Sequence, residues 1–160
     1  MEPQSVGEKL GRRVQRRTMD TGIVESVGTF IYCTTTKRYL FLLRNSSKYS
    51  GTWGLVGGKI EANELTIQSL MREIQEELGG TICDPKIIPI EKFTSDNGNF
   101  TYHTYITPVD EEFVPVLNYE HRGYCWVHLE DHPKPLHPGV WRTINFSAVI
   151  SKIRTLELVL

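Results

Sequence analysis

A helix bounded by glycines is the feature that most constrains the fold of this chain. Leu65 to Leu78 carries apolar residues at helical spacing, and a pair of glycines, Gly79 and Gly80, follows it. Glycine readily adopts the left-handed conformation that ends a helix. We predict that Asn63 caps the helix and that Glu64 lies in its first turn, where the helix dipole favours an anion. The sequence therefore predicts a helix that begins and ends abruptly.

Three glutamates gather on one side of this helix. At about 100° per residue, Glu73, Glu76 and Glu77 fall within about 100° of one another, beside the apolar stripe. Like charges at this spacing repel by about 0.2–0.5 kcal/mol per pair, so the cluster suits a bound cation. Carboxylates near a loop carbonyl are typical ligands of Mg²⁺ or Mn²⁺, which also bind phosphates. Taken alone, the triplet fits a solvated acidic face better than a metal site.

Two neighbouring features favour the metal site over the solvated face. Arg72 precedes the first glutamate, where its forked guanidinium can orient a carboxylate. The segment WGLVGGKI, with three glycines in eight residues, lies directly before the helix. Such a segment bends sharply or approaches another group closely, so its backbone can reach the same metal.

The residues from Gly58 to Gly80 carry a family resemblance. They read GKIEANELTIQSLMREIQEELGG and resemble the Nudix box, G-x5-E-x7-R-E-U-x-E-E-x-G-U, where U is a bulky aliphatic residue. Gly80 departs from the pattern, and Ile82 is the nearest aliphatic residue after it. The preceding WGLVGGKIE resembles the family's W-x-x-P-G-G-K-x-E segment, with Val56 in place of proline. The residues that match the box are Gly58, Glu64, Arg72, Glu73, Ile74, Glu76, Glu77 and Gly79.

The resemblance implies a fold and a metal site. The fold is a Nudix-type α/β/α sandwich with a central mixed sheet and a loop-helix-loop catalytic motif. In that family the helix glutamates bind catalytic divalent metal, Mg²⁺ or Mn²⁺, and the carbonyl of a preceding glycine often completes the metal shell. The corresponding residues in this chain are Glu73, Glu76, Glu77 and Gly57.

The resemblance also implies roles for acids and for an arginine beside the metal. Arg72 matches the arginine that orients a glutamate, and Glu64 matches a glutamate that supports the metal waters or the loop. The general base differs among subfamilies, so Glu73 and an acid outside the box both remain open. Glu120 is the outside candidate, because it lies six residues before Trp126, as in some MutT-type members. A plain loop glutamate is the alternative for Glu120.

Further side chains are candidates for substrate binding. Arg44 follows a predicted strand, where it can contact a phosphate, while Trp53 and Tyr102 can stack on a base. Each of the three also fits an ordinary core or surface position.

The rest of the chain predicts strands interleaved with a second helix, and hence a mixed α/β sandwich. We expect this second helix at Ser147 to Leu158, capped by Asn145, after a proline-rich loop from His132 to Gly139. The predicted strands are Val27–Thr35, Tyr39–Leu43, Lys86–Phe93, Phe100–Thr107 and Tyr124–His128.

Length and composition set the domain organisation and exclude several classes of protein. The 160 residues fit a polar, arginine-containing arm at 1–20 followed by one domain at 21–160. The net charge of −1 supplies no global field for long nucleic acid. Three cysteines without a C-x-x-C pair indicate a reducing cytosol, and no apolar run has the length of a membrane span.

The preferred functional hypothesis is a Mg²⁺-dependent hydrolase of small nucleotides. It cleaves the diphosphate linkage of a nucleoside diphosphate joined to another moiety, such as ADP-ribose, a dinucleoside polyphosphate or a nucleotide cofactor, and releases a nucleoside monophosphate. The alternative is a MutT-type pyrophosphohydrolase of canonical or oxidised dNTPs. An RNA 5′-pyrophosphohydrolase and a binding-only domain are weaker alternatives. Family resemblance also allows a homodimer.

Overall fold

In the computed structural model the described residues are 22–160, so the predicted arm at 1–20 lies outside them. Within this range the helices are α1 (Thr66–Leu78), α2 (Pro138–Ile144) and α3 (Ser147–Val159). The strands are β1 (Val24–Cys33), β2 (Tyr39–Arg44), β3 (Trp53–Gly54), β4 (Val56–Lys59), β5 (Ile88–Thr94), β6 (Phe100–Val109) and β7 (His121–Val127). None of the helices in residues 22–160 is long and apolar enough to cross a bilayer.

The strands form one mixed sheet, as predicted. Its path is β3-β2-β1-β6-β5, with β4 paired to β1 and β7 paired to β2. β1 and β6 run parallel along their whole length, from Val24 opposite Phe100 to Cys33 opposite Val109. The other pairs are antiparallel. β4 pairs with the first half of β1 and β2 with the second half, so β4 leads directly from the sheet towards α1.

Both faces of the sheet are buried around β1, whose residues from Val27 to Cys33 are buried without a break. On one face Phe30 and Tyr32 pack into a cluster that includes Val149 and Ile153 of α3. On the other face Val27 and Ile31 pack into a cluster with the apolar residues of α1, which are Leu70, Ile74 and Leu78. The predicted α/β/α sandwich is confirmed, with α1 on one side and the C-terminal helices on the other.

The predicted end of α1 is correct, and its predicted cap is wrong. Gly79 has a φ of 65° and donates its N–H to the carbonyl of Gln75 at 3.0 Å. The helix begins at Thr66, and Leu65 is the cap residue, whose N–H donates to Oε1 of Gln68 at 3.0 Å. Asn63 lies in the preceding turn with a φ of 69°. Glu64 therefore precedes the helix instead of lying in its first turn.

The region after β7 differs most from the prediction. The expected proline-rich loop at His132–Gly139 ends in α2, which begins at Pro138 and is capped by the side chain of His137. Asn145 does not cap α3 but ends α2, where its side-chain Nδ2 donates to the carbonyl of Trp141 at 2.8 Å. Phe146 is the residue before α3. Two further strands, β3 and β4, lie inside the predicted glycine-rich bend.

Candidate active site

Glycines let β4 approach both β1 and α1 closely. Gly57 lies opposite Gly28 in the ladder, and a Cβ at Gly57 would lie 2.0 Å from the carbonyl oxygen of Val27. A Cβ at Gly58 would lie 2.5 Å from Oε1 of Glu73. Real Cβ contacts are not this short, so only glycine brings this backbone against the carboxylates of α1.

Glu77 and Glu73 are carboxylates buried at this contact. Glu77 is 1% exposed, and its Oε2 accepts a hydrogen bond from the N–H of Gly57 at 3.2 Å. Burial raises the pKa of Glu77 well above its usual range, and the charge of Glu73 raises it further. Glu73 is 7% exposed, and burial raises its pKa despite the neighbouring Arg72. Two adjacent buried carboxylates with one backbone donor between them stay ionised together only beside further positive charge.

Arg72 supplies part of that charge and ties the helix to the loop before it. Its Nε and Nη2 donate to the two oxygens of Glu64 at 2.8 and 2.9 Å. Its Nη1 donates to Glu73 at 2.9 Å and to Glu76 at 3.2 Å. Glu64 in turn accepts the N–H of Glu61 at 2.9 Å, and the hydrogen bonds from Arg72 lower its pKa. The guanidinium therefore holds three carboxylates and the loop in one arrangement.

Glu76 and Glu120 lie at the edge of this group. The Glu76 side chain is 47% exposed and accepts its hydrogen bond from Arg72 at the protein surface. Glu120 directly precedes β7, and its charge adds to the raised pKa of Glu77. Across residues 22–160 no three Asp, Glu, His or Cys side chains converge tightly enough to form a complete metal shell. The oxygen donors that hard divalent cations prefer are nevertheless present in Glu73, Glu76 and Glu77.

A cleft of about 530 Å³ opens beside Gly57 and Gly58. Among the described residues its cationic lining consists of Arg44, Lys48, Lys59 and Arg142, and no Asp or Glu joins them. Aromatic side chains complete the lining, which includes Tyr49, Phe93, Phe100 and Tyr102. A cationic and aromatic cleft without acids suits a planar ring that carries phosphates.

A second hollow, of about 660 Å³, lies away from the carboxylates of α1. Its lining includes four acidic side chains, Asp84, Asp110, Glu111 and Glu112, and the lysine Lys86. An anionic ligand would be repelled there, so the cleft beside Gly57 is the better candidate despite its smaller volume.

Tyr102 connects the cleft to the buried carboxylates. Its hydroxyl lies over Gly28, where a Cβ would approach it to 1.9 Å. Burial raises the pKa of Tyr102, the charge of Glu77 raises it further, and the charges of Arg44 and Arg142 lower it. The hydroxyl is thus within electrostatic reach of both the acids and the cations.

The structure separates the remaining predicted residues. Arg44 lines the cleft and donates to the carbonyl of Lys48 through Nε at 3.3 Å and Nη2 at 3.2 Å. Trp53 does not line the cleft but packs against the core on the α3 side of the sheet. Sequence reasoning missed Tyr49, His137 and Arg142, which reach the cleft from a loop and from α2. The available signals were a tyrosine in a polar loop and a His-Pro pair that starts a helix.

Comparison with known proteins gives the same assignment as the box. The model of the NUDIX domain family matches residues 23–146. A Mycobacterium tuberculosis protein (strain CDC 1551 / Oshkosh), provisionally named 8-oxo-dGTP diphosphatase 3, is 32% identical over 114 residues. The match covers 68% of this chain and 50% of that protein, so the chain spans about half the length of this relative.

Two further comparisons cover more of the related protein. Nucleoside triphosphatase NudI of Escherichia coli O139:H28 is 26% identical over 129 residues, which are 74% of this chain and 86% of NudI. The crystal structure of the MutT protein from Methanosarcina mazei Go1 is 25% identical with a TM-score of 0.62, over 83% of this chain and 94% of that one. The predicted resemblance is confirmed: this chain belongs to the NUDIX domain family and has its α/β fold, with a mixed central sheet.

Proposed function

We propose that this chain is a Nudix pyrophosphohydrolase that converts nucleoside triphosphates, canonical or oxidised, into a nucleoside monophosphate and pyrophosphate. The buried pair of Glu73 and Glu77 beside a cationic cleft carries the proposal, because it joins acids suited to a divalent metal with a binding surface for phosphates. The names of the two relatives above, an 8-oxo-dGTP diphosphatase and a nucleoside triphosphatase, support the choice of substrate.

The hypothesis preferred from sequence, with ADP-ribose or a dinucleoside polyphosphate as substrate, has weaker support. A NUDIX domain complexed with ADP-ribose, from Shewanella oneidensis, is 18% identical to this chain. An Ap4A hydrolase from Caenorhabditis elegans is also 18% identical. Likeness at that level shows the shared fold alone, so these substrates remain the second candidate.

The acids of α1 fit the divalent metal on which members of this family typically depend. We propose that Glu73, Glu76 and Glu77 with Gly57 hold Mg²⁺ or Mn²⁺, since Arg72 pairs with Glu73 but, within residues 22–160, no cationic side chain pairs with the buried Glu77. When bound, the ion neutralises phosphate charge and lowers the pKa of a water molecule.

The side chains of the chain then supply position and proton transfer. Arg44, Lys48 and Lys59 attract the phosphates into the cleft, while the charge of Arg142 is shared with Glu91, to which its Nη2 donates at 2.8 Å. Water attacks a phosphorus atom, the bridging P–O bond breaks, and a carboxylate, Glu73 or Glu120, receives the proton of the water. Arg72 holds Glu73 in place and ties it through Glu64 to the loop. The role predicted for Trp53 stays a sequence prediction.

A substrate panel with the purified chain and Mg²⁺ tests the proposal. The panel contains dNTPs, 8-oxo-dGTP, ADP-ribose, a dinucleoside polyphosphate and a 5′-triphosphate RNA. We expect release of monophosphate and pyrophosphate from triphosphates, and a loss of about 100-fold or more in kcat for Glu77→Gln. The control is His128→Ala, because His128 is exposed and lies outside the cleft lining.

Two results would change the assignment. Turnover of ADP-ribose or a dinucleoside polyphosphate, with triphosphates inert, would select the second candidate. An absence of turnover on every compound, with Glu77→Gln indistinguishable from the parent chain, would contradict the hydrolase proposal.

A further inference from the structure

Two aromatic rings from distant parts of the chain meet in the lining of the cleft. Tyr49 lies in the loop after β2, and His137 directly precedes α2. Their ring centroids are 4.7 Å apart and their planes are 75° apart, an edge-to-face contact. Both side chains line the cleft beside Gly57 and Gly58. The pair is therefore a defined surface within reach of any ligand that fills the cleft.

The backbone of Tyr49 is held in an unusual conformation. Its φ is 56°, in the left-handed region that bulky side chains rarely adopt. Thr52 holds this turn through its N–H at 3.2 Å and its hydroxyl at 2.7 Å, both of which donate to the carbonyl of Tyr49. Arg44 contacts the preceding carbonyl of Lys48. Such conformations persist where the surroundings impose them, and here they present the ring of Tyr49 to the cleft.

The position and the tautomer of His137 are also set by its contacts. Its N–H donates to the carbonyl of Trp53 at 2.8 Å, which anchors the residue to β3. Its Nδ1 accepts the N–H of Gly139 at 3.0 Å, so the proton of the neutral ring is on Nε2. Burial and the charges of Arg44 and Lys48 lower the pKa of His137 to about 4, which keeps the ring neutral at pH 7.

His137 therefore offers one donor to the cleft. Within residues 22–160, Nε2 makes no hydrogen bond, although the ring lines the cleft. The described lining contains no carboxylate, and the side chains in it that can accept a hydrogen bond are the amide of Asn99 and the hydroxyls of Ser26, Tyr49 and Tyr102. Cationic and N–H donors predominate in it, and such donors pair with carbonyl oxygens.

We propose that Tyr49 and His137 form the base-reading surface of the cleft, where Tyr49 packs on the base and Nε2–H of His137 donates to a purine carbonyl oxygen. The surface selects guanine-type purines, including 8-oxoguanine, over adenine, which has an amino group at the corresponding position. This inference rests on the proposed function, since it takes the cleft as the nucleotide site.

Two substitutions test the proposal while preserving the local backbone. His137→Ser keeps a side-chain oxygen that can cap α2 and removes the Nε2–H donor. Tyr49→Asn suits the left-handed conformation and removes the ring. His128→Ser is the matched control, because His128 is an exposed histidine outside the cleft. Thermal unfolding of each variant checks that it is folded.

The preference for guanine over adenine is measured in two ways. One is the ratio of kcat/KM for dGTP to that for dATP with Mg²⁺, and the other is the ratio of the association constant (1/Kd) for dGMP to that for dAMP, measured by calorimetry without metal. We expect the parent chain to prefer guanine and His137→Ser to lower both ratios about tenfold, the effect of one lost hydrogen bond. We expect Tyr49→Asn to weaken binding of both monophosphates about fivefold or more, because stacking does not distinguish the bases.

The outcomes separate this inference from the proposed function. A parent chain without preference, or His137→Ser with the parent ratios, would overturn the base-reading surface even if triphosphates are hydrolysed. Conversely, triphosphates that are not hydrolysed would contradict the proposed function. In that case, a weaker preference of His137→Ser for dGMP over dAMP, measured without metal, would still support the base-reading surface. An unchanged preference would overturn it.

Discussion

At the scale of single residues, the burial of Glu77 destabilises the fold and marks this residue as a functional candidate. Its carboxylate is almost fully buried, has one backbone donor, and lies near the charges of Glu73 and Glu120. A buried charge without a balancing partner destabilises the fold. Natural proteins accept such costs where a function needs the group, which makes Glu77 a better functional candidate than its exposed neighbour Glu76.

The metal-free chain should be stabilised when this charge is removed. We predict that Glu77→Gln raises the free energy of unfolding by about 1 kcal/mol without metal, since an amide keeps the shape and avoids burying a charge. The matched control is Glu76→Gln, on the same helix but 47% exposed, which should change stability by less than about 0.5 kcal/mol. Urea unfolding in EDTA measures both, and equal stability of the two variants would contradict the prediction.

Gly57 is the residue that permits the contact between β4 and β1. A Cβ there would lie 2.0 Å from the carbonyl oxygen of Val27, a backbone atom that cannot rotate away. We predict that Gly57→Ala lowers the free energy of unfolding by about 3 kcal/mol or more. Gly54, in the same segment, is the control, because a Cβ there would find its nearest atom at 3.8 Å.

Urea unfolding of both alanine variants checks this prediction. Gly54→Ala should cost less than about 1 kcal/mol, because its Cβ makes an ordinary van der Waals contact. Similar losses of stability in the two variants would show that glycine occupies these positions because the segment needs flexibility, and not because Gly57 approaches β1 closely.

At the scale of elements, α2 depends on a neutral histidine at its N-terminus. Burial and the charges of Arg44 and Lys48 lower the pKa of His137 to about 4, from 6.5 in the unfolded chain. Between these values the unfolded state binds more protons than the folded state. The contribution of neutral His137 to the free energy of unfolding is therefore fully present above pH 6.5 and is lost as the pH falls through 4.

The pH dependence of unfolding tests this assignment. We predict that lowering the pH from 7 to 5 removes about 1–2 kcal/mol of stability through His137, and that His137→Ser loses less over the same interval by about that amount. Burial also lowers the pKa of His121 to about 4, so His121 adds an equal loss of stability at low pH in the parent chain and in His137→Ser. If His137→Ser loses as much free energy of unfolding between pH 7 and pH 5 as the parent chain does, the role of His137 is contradicted.

The elements differ in how far the sequence could predict them. The end of α1 was predictable, because a glycine with left-handed φ is a local signal that needs no distant contact. The start was not, because Glu64 and Arg72 close the loop before α1 through contacts eight residues apart. A tertiary contact of that kind overrides the capping preference of Asn63. The short α2 was hidden by the prolines around it.

The same contrast holds for the two halves of the candidate site. The carboxylates of α1 lie on one helix, so helical spacing alone predicts that they gather. The cleft draws its residues from all six strands β1 to β6, from α2 and from the loop after β2, and only the folded chain brings them together. Tyr49 and His137, for example, are far apart in sequence but in ring contact. No spacing rule predicts such a pair.

At the scale of the whole molecule, charge is distributed unevenly although the sum is close to zero. The net charge is −1, yet the described lining of the cleft contains four cationic side chains and no acidic one. The second hollow, by contrast, contains four acidic side chains. A local field of this kind attracts an anionic substrate to one side of a nearly neutral protein.

The location of the positive charges, and not their number, should therefore set the affinity for triphosphates. We predict that Lys48→Gln/Lys59→Gln raises KM for a nucleoside triphosphate about tenfold and weakens the dependence of kcat/KM on salt. Lys37→Gln/Lys92→Gln is the control, since it removes two exposed lysines outside the cleft and changes the net charge equally. Its KM should stay within about twofold of the parent value, because neither lysine lines the cleft and both are exposed, where solvent and salt screen their charges. Steady-state kinetics at about 50 to 300 mM KCl, a range over which screening becomes stronger, measure KM and the dependence of kcat/KM on salt. Equal changes in the two double variants would show that net charge, and not the cleft, governs the encounter with substrate.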